Sequence, residues 1–179
     1  NVLCKRNSLT LINVSEHNIH GKSYIFEIQL NGNQNIKTQL ESEKFLLENT
    51  TYQDYNNLIN LNKFSNVKKL NEYKNFKIVG YGSPAKATVF LNFYREIKLD
   101  YVIEDNKLKI GNCVPGTKFE IFDINKLKHE KSKTIIFVLA WNFLEDIKQK
   151  ISSLKNNNLE KICYVKNNVL IIENFEVLN

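Results

Sequence analysis

The sequence predicts an α/β protein: a mainly parallel sheet with flanking helices, preceded by a β-strand pair and a long helical segment. Three observations carry this expectation. Short apolar runs of strand length alternate with helix-length stretches through the second half of the chain. The run Gly80-Tyr-Gly-Ser-Pro-Ala-Lys86 stands between one such strand, Phe76-Lys-Ile-Val79, and a breaker-free stretch containing Ala85, Val89, Leu91 and Phe93. About 20 residues further on, Leu99-Asp-Tyr-Val-Ile-Glu-Asp105 reads as a second strand ending in an acid.

Taken in order, Leu9-Thr-Leu-Ile-Asn-Val14 and Ser23-Tyr-Ile-Phe-Glu-Ile-Gln-Leu30 are strands, the second alternating cleanly, with a polar turn between them. From about Asn35 to Tyr73, leucines recur among polar residues without Gly or Pro. That pattern predicts one long helix or two, with an interruption near Asn49-Thr-Thr51. Strands are then expected at 76–80, 100–104, about 119–122, 134–140 and 161–165, and helices at 84–95 and 142–154, with a short turn or helix near 123–128. A strand, a Gly-x-Gly turn and a helix in succession make this core Rossmann-like. The expected organisation is a single domain over 1–179, with 1–75 as strand pair plus helical extension and 76–179 as the core.

Composition excludes several classes. A hydrophobic content of 42% and a charged content of 25% are those of a soluble globular chain. The longest apolar run, Thr134-Ile-Ile-Phe-Val-Leu-Ala-Trp141, is far short of the ~20 residues that cross a bilayer, so no membrane partner is expected. The net charge of +6 comes almost wholly from lysines, scattered along the chain, and the arginines are Arg6 and Arg95 alone. Specific nucleic-acid readers lean on Arg, so no nucleic-acid partner is expected either. Cys4, Cys113 and Cys163 are widely spaced, without a Cys-x-x-Cys or Cys/His pairing. They supply neither a disulfide framework nor a zinc site and fit a reducing, cytoplasmic location. The chain has no Met and begins Asn-Val-Leu-Cys, which leads us to expect a segment of something longer.

Gly80 and Gly82 would let the backbone turn sharply and approach a ligand closely, with Tyr81 and Ser83 on the same turn. Backbone N–H groups at the start of the following helix suit a phosphate, and Lys86 would reach it as a point charge. The same glycines equally serve a tight strand–helix turn with Lys86 in solvent. Asp105 either accepts from a ribose or sugar hydroxyl or caps the turn that follows. Asn106 and Lys109 are binding candidates on that loop. Trp141-Asn142 reads as a packing Trp followed by a helix N-cap. No catalytic residue is identified: Ser23 has no accompanying His/Asp arrangement.

Four stretches taken together carry a resemblance. They are His20-Gly21-Lys22-Ser23; Gly80-Tyr-Gly-Ser-Pro-Ala-Lys86 with Thr88 and Asn92; Tyr101-Val-Ile-Glu-Asp-Asn106 with Lys109, Gly111 and Pro115-Gly-Thr117; and Ala140-Trp-Asn142. In this order they resemble the His-Gly-Gly-Ser, Gly-Tyr-Gly-Ala-x-x-Lys, Asp-x-Asn-Pro-x-Lys-x-Gly…Pro-Gly-Thr and Ala-Trp-Asn segments of the C-terminal domain of SAM-dependent C-methyltransferases acting on nucleotide-linked deoxysugars. The match runs from about Leu9 to Val165 and departs at Lys22, where the family has Gly, and at Lys107, where it has Pro.

The resemblance implies a nucleotide-sugar-binding domain in which His20 touches substrate and Asn142 lies at the ligand edge. It also implies that zinc and SAM, with a Tyr-x-Glu-His motif carrying the general base, belong to a preceding part. That SAM-binding methyltransferase domain would be fused or separate. In the whole enzyme a base removes a proton alpha to a keto group and the enolate attacks the SAM methyl. This chain would bind substrate without methylating it. Two other readings compete: a small NAD(P)-dependent oxidoreductase using Gly80 and Asp105, for which no proton donor is evident, and a non-binding structural remnant of a split methyltransferase.

Overall fold

The computed structural model describes residues 2–18, 23–34, 36 and 41–175 and falls into two units, Asn1–Leu58 and Ile59–Asn179. In the first, a short helix α1 (Val2–Arg6), not expected from the sequence, precedes strands β1 (Leu9–His17) and β2 (Ser23–Leu30). The strands pair antiparallel from Leu9↔Leu30 to His17↔Ser23, with a bulge between Leu11 and Asn13. Cys4, Leu11 and Ile36 form a small buried cluster against which Leu9 and Val14 pack. A 3-10 turn at Lys44–Leu47 ends just before helix α2 (Asn49–Asn71). The interruption expected near Asn49 lies there: Glu48 is extended, and the Thr51 hydroxyl donates to the Phe45 carbonyl at 2.7 Å. His20, Gly21 and Lys22, of which His20 is expected at the substrate, lie outside the described residues.

The second unit is the expected α/β core. After the C-terminal part of α2 come β3 (Lys77–Tyr81), α3 (Ala85–Phe93), β4 (Tyr101–Ile103), β5 (Ile121–Phe122) and α4 (Asn125–Lys128). They are followed by β6 (Thr134–Val138), a 3-10 turn at Trp141–Phe143, α5 (Leu144–Ser152), β7 (Leu159–Lys166) and β8 (Val169–Asn174). The sheet order is β5-β4-β3-β6-β7-β8. Every pairing is parallel except the last, where β8 runs antiparallel to β7. Strand β8 was not expected. Its turn is made by Asn167 and Asn168, both at positive φ (50° and 64°), a conformation that suits a tight hairpin and that Asn tolerates.

Because side chains alternate across a strand, the sheet carries two cores. On one face Ile135, Phe137, Leu139, Val102 and Cys163 pack with Leu70 of α2 and Ala87 and Leu91 of α3. On the other, Val79, Tyr81, Ile103, Ile136, Val138 and Ile162 pack with Leu127 of α4 and Ile147 and Ile151 of α5. Strands β3, β4 and β6 are apolar through most of their length, as parallel strands covered on both faces must be. Among the described residues no helix is long and apolar enough to cross a membrane.

The outer strand β8 is closed by α2. The Asn66 side chain, only 3% exposed, accepts from Leu170 N at 2.8 Å and donates to Asn168 O at 2.9 Å and to the Tyr94 hydroxyl at 3.1 Å. Lys69 donates to Leu170 O at 3.0 Å. An open strand edge is thereby paired with side chains. Replacing Asn66→Ala leaves a buried N–H without its acceptor, so we predict a loss of about 3 kcal/mol in unfolding free energy, read from urea midpoints.

Candidate functional site

The strand order reverses between β3 and β6, and in open α/β sheets ligands bind outside the carboxyl ends of the strands at such a point. A pocket of about 320 Å³ opens there. Tyr81, Gly82 and Pro84 enter from the end of β3, Glu104, Asp105 and Lys109 from the loop after β4, and Ala140 and Phe143 from the turn after β6. Asp146, Ile147 and Lys150 of α5 complete it. The structure thus brings Tyr81, Gly82, Asp105 and Lys109 to one pocket, together with Asp146 and Lys150, which sequence reasoning did not single out.

The acid at the end of β4 is Glu104, because the strand stops at Ile103. Its carboxylate accepts from Ser83 N (2.8 Å), Ser83 Oγ (2.6 Å), Asp105 N (3.0 Å), Asn106 N (3.1 Å) and Lys109 Nζ (3.3 Å). Lys109 also donates to Ser83 O at 2.9 Å. Burial pushes this carboxyl up, but the bonds from Ser83 and Asn106 and the Lys109 ammonium outweigh it and hold the pKa at about 2. Asp105 is turned elsewhere: it accepts from the Tyr81 hydroxyl at 3.2 Å and from Lys150 Nζ at 2.6 Å. Burial, reinforced by Asp105, pushes the Tyr81 phenol above its usual range, so it remains a protonated donor.

Each glycine of the turn answers to packing. Gly82 has φ +88°, and a Cβ there would lie 2.6 Å from that of Ala140. A Cβ on Gly80 would press on Leu139, Leu99 and Val102 at 3.0 Å. Pro84 takes the N-cap position of α3 in extended conformation. Lys86 lies over the Trp141 ring, its Nζ 4.0 Å from the centroid. Asn92 donates to Thr88 O (2.8 Å) and Pro115 O (2.9 Å), and Gly116, at φ +75°, faces its amide so closely that a Cβ would overlap it. The Asn106 side chain accepts from Leu108 N at 3.0 Å, shaping its own loop. Asn142 is exposed in the 3-10 turn after β6; the helix that follows, α5, is capped by Phe143. Among the described residues no group of three or more His, Cys, Asp or Glu side chains is arranged to hold a metal ion.

Three of the four stretches that carried the resemblance lie within one continuous sequence match: the profile of the C-methyltransferase C-terminal domain covers residues 25–165, reaching from β2 to β7, and the first stretch, His20 to Ser23, lies outside it. The chain belongs to that family. No curated protein matches it.

In this C-methyltransferase C-terminal domain the turn after β3 is tied to the loop after β4. The Ser83 N–H that would face a ligand anion and the strand-end acid that would face a ribose are bonded to each other. The sequence signal for this was available in part: Glu104 follows the apolar Tyr101-Val-Ile directly, one residue earlier than the Asp105 chosen from spacing.

Two predictions follow from these contacts. Glu104 has a folded pKa of about 2 against an ordinary 4.5, so its stabilisation is present above about pH 4.5 and is lost as pH falls towards 2. Glu104→Gln therefore destabilises the domain at neutral pH and flattens its acid-side loss of stability, seen in urea midpoints from pH 7 to pH 3. Gly116→Ala adds an overlap with Asn92 to the left-handed strain and costs about 3 kcal/mol. Gly111→Ala, at φ +82° with nothing within 4 Å, costs about 1 kcal/mol; parallel thermal melts compare the two.

Proposed function

We propose that this domain holds a nucleotide-linked keto-deoxysugar for methyl transfer, with the methyl donor and zinc carried by a partner methyltransferase domain, fused or separate. The observation behind this reading is the switch-point pocket formed in a chain of the C-methyltransferase C-terminal domain family. Its lining suits a polyhydroxylated ring. Asp105 and Asp146 accept from hydroxyls, Lys109 and Lys150 donate, and Ile147 and Phe143 supply an apolar wall. The Tyr81 hydroxyl and Lys150 orient the Asp105 carboxylate. This chain contributes positioning, which supplies much of the rate in a two-component reaction; no general base is assigned to it. An NAD(P)-dependent oxidoreductase is disfavoured by the commitment of Glu104 to the Ser83 turn.

A calorimetric titration with dTDP, a dTDP-linked keto-deoxysugar, SAM and NADH tests the proposal. We expect the sugar nucleotide to bind more tightly than dTDP, and SAM and NADH to give no heat. Asp105→Asn should weaken the sugar nucleotide about tenfold, the loss of one charge-assisted hydrogen bond, and leave dTDP unchanged. NADH binding alone would move the domain to the oxidoreductases, and silence from every nucleotide would make it a structural remnant.

A further inference from the structure

A second cavity, of about 480 Å³, opens at the opposite end of the sheet, where β3 and β4 begin. Its floor is apolar. Leu70 and Ile97, each 3% exposed, and the half-buried Val67, Tyr73, Phe76 and Ile78 belong to the core cluster on the α3 face of the sheet. Backbone hydrogen bonds fix its walls. Tyr73 N donates to Leu70 O at 3.1 Å, Phe76 N to Tyr73 O at 3.0 Å and Ile97 N to Tyr94 O at 3.0 Å. Asp100 and Ile78 are joined twice, by Asp100 N to Ile78 O at 2.8 Å and by Ile78 N to Asp100 Oδ2 at 2.9 Å. The hollow is therefore preformed, and its volume is that of a small-molecule site.

Four charged side chains line this cavity: Lys74, Glu96, Lys98 and Asp100. Glu96 is matched by Lys63 at 2.9 Å. Asp100 gives one oxygen to the Ile78 amide, and its charge has no cationic partner. Among the described residues no ion pair holds Lys74 or Lys98. Two unmatched ammoniums and one unmatched carboxylate thus stand over an apolar floor. A plain anion would meet Asp100, and a plain cation would meet both lysines, and like charges in contact oppose either. A small molecule that carries both signs beside an apolar group satisfies all three.

We propose that this cavity binds a free apolar α-amino acid. Its carboxylate lies between Lys74 and Lys98, its ammonium on Asp100 and its side chain against Leu70, Phe76 and Ile97. The inference goes beyond the sugar-nucleotide reading and does not depend on it. This cavity stands at the amino ends of β3 and β4, and the switch-point pocket stands at their carboxyl ends. Strand β3 joins the two, with Ile78 at one and Tyr81 at the other. The amino acid is thus placed to act as an effector rather than a substrate.

Calorimetry on the 179-residue chain should give a saturable heat with L-phenylalanine and L-leucine, and weaker binding of glycine, which has no side chain to bury. Hydrocinnamate lacks the ammonium and phenethylamine lacks the carboxylate. Each should bind about tenfold more weakly than L-phenylalanine. Lys98→Ala, at an exposed position, should raise the L-phenylalanine Kd about tenfold. Asp100→Asn, which keeps an acceptor for the Ile78 amide, should do the same. Amide NMR shifts on adding L-phenylalanine should centre on Ile78, Ile97 and Asp100. Silence from both apolar amino acids overturns the assignment, whatever a sugar nucleotide does at the other pocket. Hydrocinnamate binding as tightly as L-phenylalanine also overturns it, since the cavity would then take simple anions. If Lys98→Ala and Asp100→Asn both bind as the parent does, the amino acid sits elsewhere and the assignment falls.

Discussion

A carboxylate removed from water is tolerated when its lone pairs are filled, and at Glu104 five donors fill them. Two of those donors come from Ser83 after β3 and three from the loop after β4. Satisfying one charge therefore fixes two crossovers at once. It sets where Gly82 and Pro84 lie, turns Asp105 away towards Tyr81 and Lys150, and holds Lys109 at the pocket wall. Glu130 does the corresponding work at the amino ends of the strands. It accepts from Lys77, the Tyr101 hydroxyl and the amides of Lys131 and Ser132, and its carbonyl takes Asn156 and Asn158. Burial pushes its carboxyl up, and the bonds from Lys77, Ser132 and Tyr101 bring it down to about 2. The parallel sheet is thus pinned at both ends by a carboxylate whose charge the fold itself satisfies.

The architecture was legible because its signals are local. Apolar runs such as Thr134 to Val138 have no polar residue to turn outward, and the Gly80–Lys86 run names a strand–helix turn. What escaped notice depends on partners distant in sequence. Strand β8 carries an apolar run, Val169-Leu-Ile-Ile172, that was passed over, and its outer edge is completed by Asn66, more than a hundred residues earlier, which accepts from the Leu170 amide. Helix α1 is five residues long, too short for a periodic pattern. Within the site, spacing pointed to the loop after β4 and to Asp105, which lines the pocket, but not to the bonds by which Glu104 ties that loop to the Ser83 turn. Helix α3 was recognised as a helix, yet its second apolar face at Val89 and Phe93 was not distinguished from core.

The motifs that carried the resemblance prove to be contacts with one another. Lys86 of the second lies on Trp141 of the last. Ser83 of the second meets Glu104 and Lys109 of the third. Asn92, in the helix, holds the Pro115-Gly116 turn. Conserving such a set preserves a mutual fit among loops at one edge of the sheet, whatever each residue does towards a ligand.

The approach of Gly82 to Ala140 has a bearing on how such domains diverge. The two positions follow the neighbouring strands β3 and β6, and no side chain larger than hydrogen fits at Gly82 while Ala140 carries a methyl group. They can drift only as a pair, through a transient in which both are small. The spacing between the exits of β3 and β6 is consequently held by a lock that single substitutions do not open. In this chain the crevice is therefore more open to change at its α5 wall, at Asp146, Ile147 and Lys150, than at the turn that closes it.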